Sequence, residues 1–211
     1  MRAIALILSA CLLTACERGQ QTNNGVYMLL DTSGTYREEL TKAEQIVRYT
    51  LSRLEPTDSF AVARIDTASF SEKDIVAKVS LDDRPSQVNQ QKRAFAEQVH
   101  SFVEDANASS YTDITGGMLQ AIEYLNEKGT GAKTILIFSD LQEDLQAGYV
   151  RDIDLPLADF NVIALNVTKL RSDNVDPREY LTRLDQWQSR VEGAGGHWRV
   201  INDLDTLEGL L

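Results

Sequence analysis

The segment VYMLLDTSGTY, residues 26–36, passes from five apolar residues straight into an acid and two hydroxyls. An unbroken apolar run suits a strand covered on both faces, so residues 26–30 predict a buried strand. Asp31 arrives as that strand ends, and Ser33 and Thr35 follow at even spacing. Gly34 between them lets the backbone turn sharply, and a helix-like pattern begins at once. One carboxylate and two hydroxyls on a strand-to-helix turn offer hard oxygen atoms to a common spot. Such atoms suit Mg²⁺, Mn²⁺ or Ca²⁺ rather than zinc or copper.

Upstream, Arg2 precedes an apolar run over residues 3–13, followed by Thr14, Ala15 and Cys16. A positive start, a short apolar core and a small residue before the cut describe a secretory signal over residues 1–15. The run is shorter than the ~20 apolar residues a membrane span needs. Leu13-Thr14-Ala15-Cys16 resembles a bacterial lipobox, in which the cysteine is lipidated and becomes the first residue. Cys16 is then the membrane anchor, Cys11 leaves with the signal, and no disulfide can form. The alternative is an ordinary cleaved signal with Cys16 incidental. Residues 16–24, CERGQQTNN, are polar and aperiodic, and read as a tether. Glu17 is not the aspartate associated with retention at the inner membrane. The expected location is therefore the bacterial cell envelope, lipid-anchored on the periplasmic side, at the outer membrane rather than the inner.

The whole chain carries a formal charge of −11, and losing Arg2 makes it more negative. Nucleic acid and an anionic bilayer surface are poor partners for such a chain. Attachment rests on acyl chains instead. Residues 25–211 are long enough to bury a core and read as one domain.

Downstream, strands and helices alternate. Leu40, Ala43, Val47, Leu51 and Leu54 recur at helical steps and predict a helix over 36–54, stopped by Glu55-Pro56-Thr57-Asp58. Residues 59–65 and 75–81 read as two strands, antiparallel because their connection is short. Pro85 opens a helix with Phe95, Val99, Phe102 and Val103 on its buried face. Residues 107–111, NASSY, form a small-residue loop before a helix that starts at Thr112-Asp113 and stops at Gly129. TILIF, residues 134–138, is a second unbroken apolar strand, and it too ends on an acid in Ser139-Asp140. Residues 142–146 read as a short helix and 160–167 as a third buried strand. Asp176-Pro177 caps a helix that runs to Gly193. Residues 197–201 are the last strand and 203–211 a final short helix. This order predicts an α/β fold with a doubly wound, mostly parallel sheet covered on both faces.

In such sheets ligands bind beyond the carboxyl ends of the strands, where the winding reverses. Asp31 and Asp140 both lie at such ends. On neighbouring strands ~4.8 Å apart they share one edge of the sheet, and Thr112, opening a helix, can face it too. Asp31, Ser33, Thr35, Thr112 and Asp140 then surround one cation. Two acids alone in one crevice repel, and a divalent ion removes that conflict.

These residues carry a resemblance to the von Willebrand factor type A domain and its metal-ion-dependent adhesion site, written D-x-S-x-S, then T, then D. Asp31-Thr32-Ser33-Gly34-Thr35 matches the first part, Thr112 the second and Asp140 the third, and the likeness runs over residues 24–211. Two departures stand out: Thr35 where serine is usual, and Leu141 where many members carry glycine. The first keeps a hydroxyl. The second is expected to change the loop's shape without removing a ligand. The resemblance implies a six-stranded sheet with one antiparallel edge strand. It also implies Mg²⁺ held by hydroxyls and by carboxylates acting partly through water. One coordination position is left open for an acidic residue of a protein partner. The domain is then a binding module rather than an enzyme.

Plainer roles compete for each residue. Asp31 and Asp140 can be strand-end turn acids, and Ser33 and Thr35 can cap the next helix. Thr112 can be a helix N-cap, Asp113 a first-turn acid favoured by the helix dipole, and Glu143 and Asp144 a solvated rim. A metal-dependent phosphatase of the haloacid dehalogenase type also opens on an apolar strand and an Asp. It needs a second acid two residues on as proton donor, where this chain has Ser33. His100 and His197 read as structural or surface residues. A scaffold of the same fold that has lost its metal is the remaining alternative.

Overall fold

The computed structural model describes residues 22–34, 36, 39–66, 71–167, 176–203, 207, 209 and 210. The signal, Cys16 and most of the tether therefore lie outside the described residues, as does Thr35. Among the described residues no helix is long and apolar enough to cross a membrane.

The opening apolar run forms β1 (Asn24–Leu30), and its alternate residues serve two cores. Val26, Met28 and Leu30 point into one, Tyr27 and Leu29 into the other, and none of the five is more than 1% exposed. Burial of such side chains contributes about 1.5–3 kcal/mol each, so a polar residue at Met28 would disrupt the centre of the molecule. β2 (Ser59–Arg64), β3 (Ile75–Ser80), β4 (Ala132–Phe138), β5 (Phe160–Leu165) and β6 (His197–Ile201) complete a six-stranded sheet in the order β3-β2-β1-β4-β5-β6. Every pairing is parallel except β2 with the edge strand β3. α1 (Leu40–Arg53) and α2 (Pro85–Asp105) supply the core on one face. α3 (Ile114–Lys128) and α4 (Pro177–Gly193) supply it on the other. The chain leaves β1 toward β2 on one side and returns to β4 on the other. The winding thus reverses between β1 and β4, at the ends that carry Asp31 and Asp140.

Several boundaries differ from the periodic pattern. The first helix begins at Leu40 rather than at Tyr36, because Tyr36 N–H bonds back to the Ser33 carbonyl at 2.9 Å in a tight turn. The third buried strand stops at Leu165, where Asn166 takes a left-handed φ of 52°. No helix forms over 142–146. The Asp144 backbone instead exchanges hydrogen bonds with Thr112, N–H to carbonyl at 2.8 and 2.9 Å, which removes the groups an isolated turn of helix would use. The entire β4–β5 connection, 139–159, is without helix. The final short helix falls largely outside the described residues, and no helix occurs among the ones described there.

Candidate metal centre

β1 ends between two parallel neighbours, and its ladder with β4 runs one step further, Asp31 N–H donating to the Phe138 carbonyl at 3.0 Å. That bond carries the Asp31 side chain into the junction, where the residue is 0% exposed. Its Oδ1 accepts from Ser33 N–H at 2.8 Å and its Oδ2 from the Ser139 hydroxyl at 2.6 Å. The Ser33 and Thr112 hydroxyls lie close enough to the same carboxylate to favour its charged form. Burial pushes the Asp31 carboxyl above the usual carboxylate range, although these neutral donors pull the other way. Among the described residues no cation neutralises it.

Thr112 arrives from a loop that is itself fixed to the Asp31 turn. Ser109 N–H donates to the Thr32 carbonyl at 2.8 Å, and Ser109 pairs with Ser33 in a short parallel bridge. Thr112 is not the cap of α3. That role falls to Asp113, whose Oδ1 accepts from Gly116 N–H at 2.7 Å, so Asp113 stands at the cap and not in the first turn. Gly117, one turn in, lets α3 come close. A Cβ there would lie 2.6 Å from Ile65 and 3.0 Å from Leu29.

Asp140 follows Ser139 at the end of β4 and is 4% exposed. Its Oδ1 accepts from Gln142 N–H at 2.9 Å, and its carbonyl accepts from Arg183 Nε of α4 at 3.2 Å. Asp31 and Asp140 therefore both close turns at the ends of adjacent strands, as turn acids do, while standing at the switch point of the sheet. Leu141 keeps the left-handed backbone that glycine favours, with φ 67°. Leu141 is 2% exposed among the α3–α4 core, and Trp187 Nε1 holds its carbonyl at 3.0 Å, which outweighs the backbone strain.

The structure thus joins Ser33 to Asp31 by a backbone hydrogen bond, brings the Thr112 side chain near the same carboxylate and sets Asp140 at the neighbouring strand end, while Thr35 lies outside the described residues. Residue pattern alone does not single out Ser139, although its hydroxyl directly precedes Asp140. Asp144 is exposed, and Glu143 is half-buried and accepts from Thr115 N–H at 2.6 Å. His100 stands beside Glu44, and His197 begins β6 at the opposite end of the sheet. Among the described residues no group of three or more His, Cys, Asp or Glu is arranged to hold a metal. The donors on offer are two carboxylates and hydroxyls. A buried carboxylate met only by neutral donors, in an oxygen-rich setting, fits a hard divalent cation.

No family model and no curated protein matches the sequence. Solved structures do match. A von Willebrand factor type A protein from Catenulispora acidiphila superposes with a TM-score of 0.57 at 16% identity, over 89% of this chain and 40% of that one. The pilus adhesin SpaC from Lactobacillus rhamnosus GG gives 0.55 at 12% identity, over 92% and 29%. Proximal thread matrix protein 1 from the mussel byssus gives 0.51 at 11% identity, over 90% and 46%. The chain thus spans less than half the length of each. At these identities the likeness defines a class of fold: the α/β sandwich of von Willebrand factor type A domains.

Proposed function

We propose that this chain is a divalent-cation-dependent protein-binding module of the bacterial cell envelope, held to the membrane by lipid on Cys16. Asp31, Ser33, Thr35, Thr112 and Asp140 hold Mg²⁺, or Mn²⁺ or Ca²⁺ in its place. The bound ion supplies a Lewis-acidic docking point for an acidic residue of a protein partner. The observation that carries this reading is Asp31, fully buried at the switch point and bonded only to hydroxyl and N–H donors. Neutral hydroxyls beside two carboxylates leave an ion short of charge and receptive to one more anionic oxygen. The adhesin among the similar structures supports a role in binding.

A binding module is favoured over a hydrolase by the residues around Asp31. The position two residues on is Ser33, which bonds to Asp31 and supplies no carboxylic proton, and both histidines stand elsewhere. Orientation follows from β1. Its seven residues separate Asn24 from Asp31 by roughly 20 Å. A tether entering at Asn24 therefore directs the cation away from the anchoring bilayer.

The test is calorimetry of the lipid-free mature chain with Mg²⁺, Mn²⁺ and Ca²⁺, alongside Asp31→Ala. Binding and a rise in Tm are expected for the parent and absent from the variant. No heat and no Tm change with any of the three ions overturns the cation reading. Hydrolysis of simple phosphoesters, lost in Asp31→Asn, overturns the assignment as a binding module.

A further inference from the structure

We infer that Arg151 is a positioning residue for the cation site, acting through Asp113 to fix Thr112; this rests on the cation reading above. The β4–β5 connection carries no helix over 139–159, and a long irregular connection in a compact domain keeps its path only if tied from outside. Its ties converge on the residues around Thr112. Asp144 holds the Thr112 backbone from both sides, at 2.8 and 2.9 Å. Glu143 takes Thr115 N–H at 2.6 Å. Arg151 donates to both Asp113 carboxylate oxygens, through Nε at 3.1 Å to Oδ1 and 3.0 Å to Oδ2, and through Nη2 to Oδ2 at 2.7 Å. From α4, Arg190 joins the two segments, donating to Thr115 Oγ1 at 2.7 Å and to the Arg151 and Ile153 carbonyls at 3.3 and 3.4 Å.

The Arg151–Asp113 pair is the buried member of this set, with side chains 16% and 1% exposed. Asp113 Oδ1 also caps α3, and Asp113 is adjacent to Thr112, whose side chain lies near the Asp31 carboxylate. Loss of Arg151 leaves a buried carboxylate without its counter-charge. Asp113 then moves toward water, and the Thr112 backbone moves with it. Arg151 bonds to neither Asp31 nor Asp140, so its effect is indirect. Residues that orient metal ligands in this way typically change affinity by about 10–100-fold. The guanidinium meets the carboxylate through a planar fork that an ammonium reproduces only in part.

The experiment is Mn²⁺ calorimetry on the mature chain, comparing the parent with Arg151→Met, Arg151→Lys and Val99→Ala. Val99 is buried against the opposite face in α2, so its truncation lowers Tm without touching this network. Arg151→Met is expected to weaken Mn²⁺ binding about tenfold and Arg151→Lys by less, while Val99→Ala leaves it unchanged. Hydrogen exchange of the metal-free protein is expected to speed up at amides 112–115 in Arg151→Met and not in Val99→Ala. Should Arg151→Met fail to fold, Arg151→Lys carries both comparisons. Unchanged affinity in both Arg151 variants, or an equal loss in Val99→Ala, overturns the role of Arg151 alone. No binding by the parent overturns the cation reading and this role together.

Discussion

The Ser139 hydroxyl donates to Asp31 Oδ2 at 2.6 Å across the junction of β1 and β4, with both residues fully buried. The two strand ends are thus joined by a side-chain bond in addition to the backbone ladder. A hydrogen bond to a charged group contributes about 1.5–3 kcal/mol. Ser139→Ala is expected to lower stability by about that amount at pH 7, read by urea unfolding in the presence of chelator. A loss below about 0.5 kcal/mol would show that Asp31 does not depend on this donor.

Asp31 itself gives a pH dependence. Its folded-state pKa lies above the unfolded value, with burial the chief cause. Stability from this group is therefore full below the ordinary carboxylate range and is lost as pH rises through the raised folded pKa. In chelator, Asp31→Asn should remove that loss. Its Tm is expected to exceed the parent's by a margin that grows from acid toward neutral pH. The parent's Tm gain on adding Mg²⁺ should grow in the same direction, since the ion competes with the proton. Equal pH profiles for parent and variant in differential scanning fluorimetry would contradict this.

Leu141 sets two effects against each other. Leu141→Gly relieves a left-handed backbone worth about 1–2 kcal/mol but removes a buried side chain worth about 2–5 kcal/mol. The lost burial outweighs the relieved strain. The variant is expected to lose about 1–3 kcal/mol in chemical denaturation, and a stabilised variant would show that strain dominates this loop.

Gly117→Ala places a methyl 2.6 Å from the Ile65 side chain. Overpacking costs about 1–3 kcal/mol, against a helix-propensity gain of about 1 kcal/mol. A net loss with weaker Mn²⁺ binding is expected, because α3 must withdraw from the sheet and draw Thr112 back from Asp31. Thermal melts and calorimetry on the same sample check both effects.

The parts of this site visible in sequence are those whose partners are settled by the sheet alone. Residues 26–30 and 134–138 read as buried strands because a strand covered on both faces needs no alternation. The acids that end them fall together because β1 and β4 are neighbours. The parts not visible depend on contacts made across the chain. Thr112 and Asp113 are equally able caps by residue type. Asp113 takes the role where its N–H bonds to the Ile65 carbonyl at 3.3 Å and Thr112 pairs with Asp144. Residues 142–146 look compatible with a helix until that pairing is known. Arg151 stands 38 residues from Asp113, and no local pattern announces their contact.

β1 has one further property, a mechanical one. It is flanked on both sides by parallel strands, β2 and β4, in continuous register from Gly25 to Leu30. Tension applied between Asn24 and Asp31 runs along the strand axis. Both ladders are then loaded in shear, so their bonds share the force and are not peeled apart singly. A load entering at one end of the domain and leaving at the other is carried by the strand best placed to resist it.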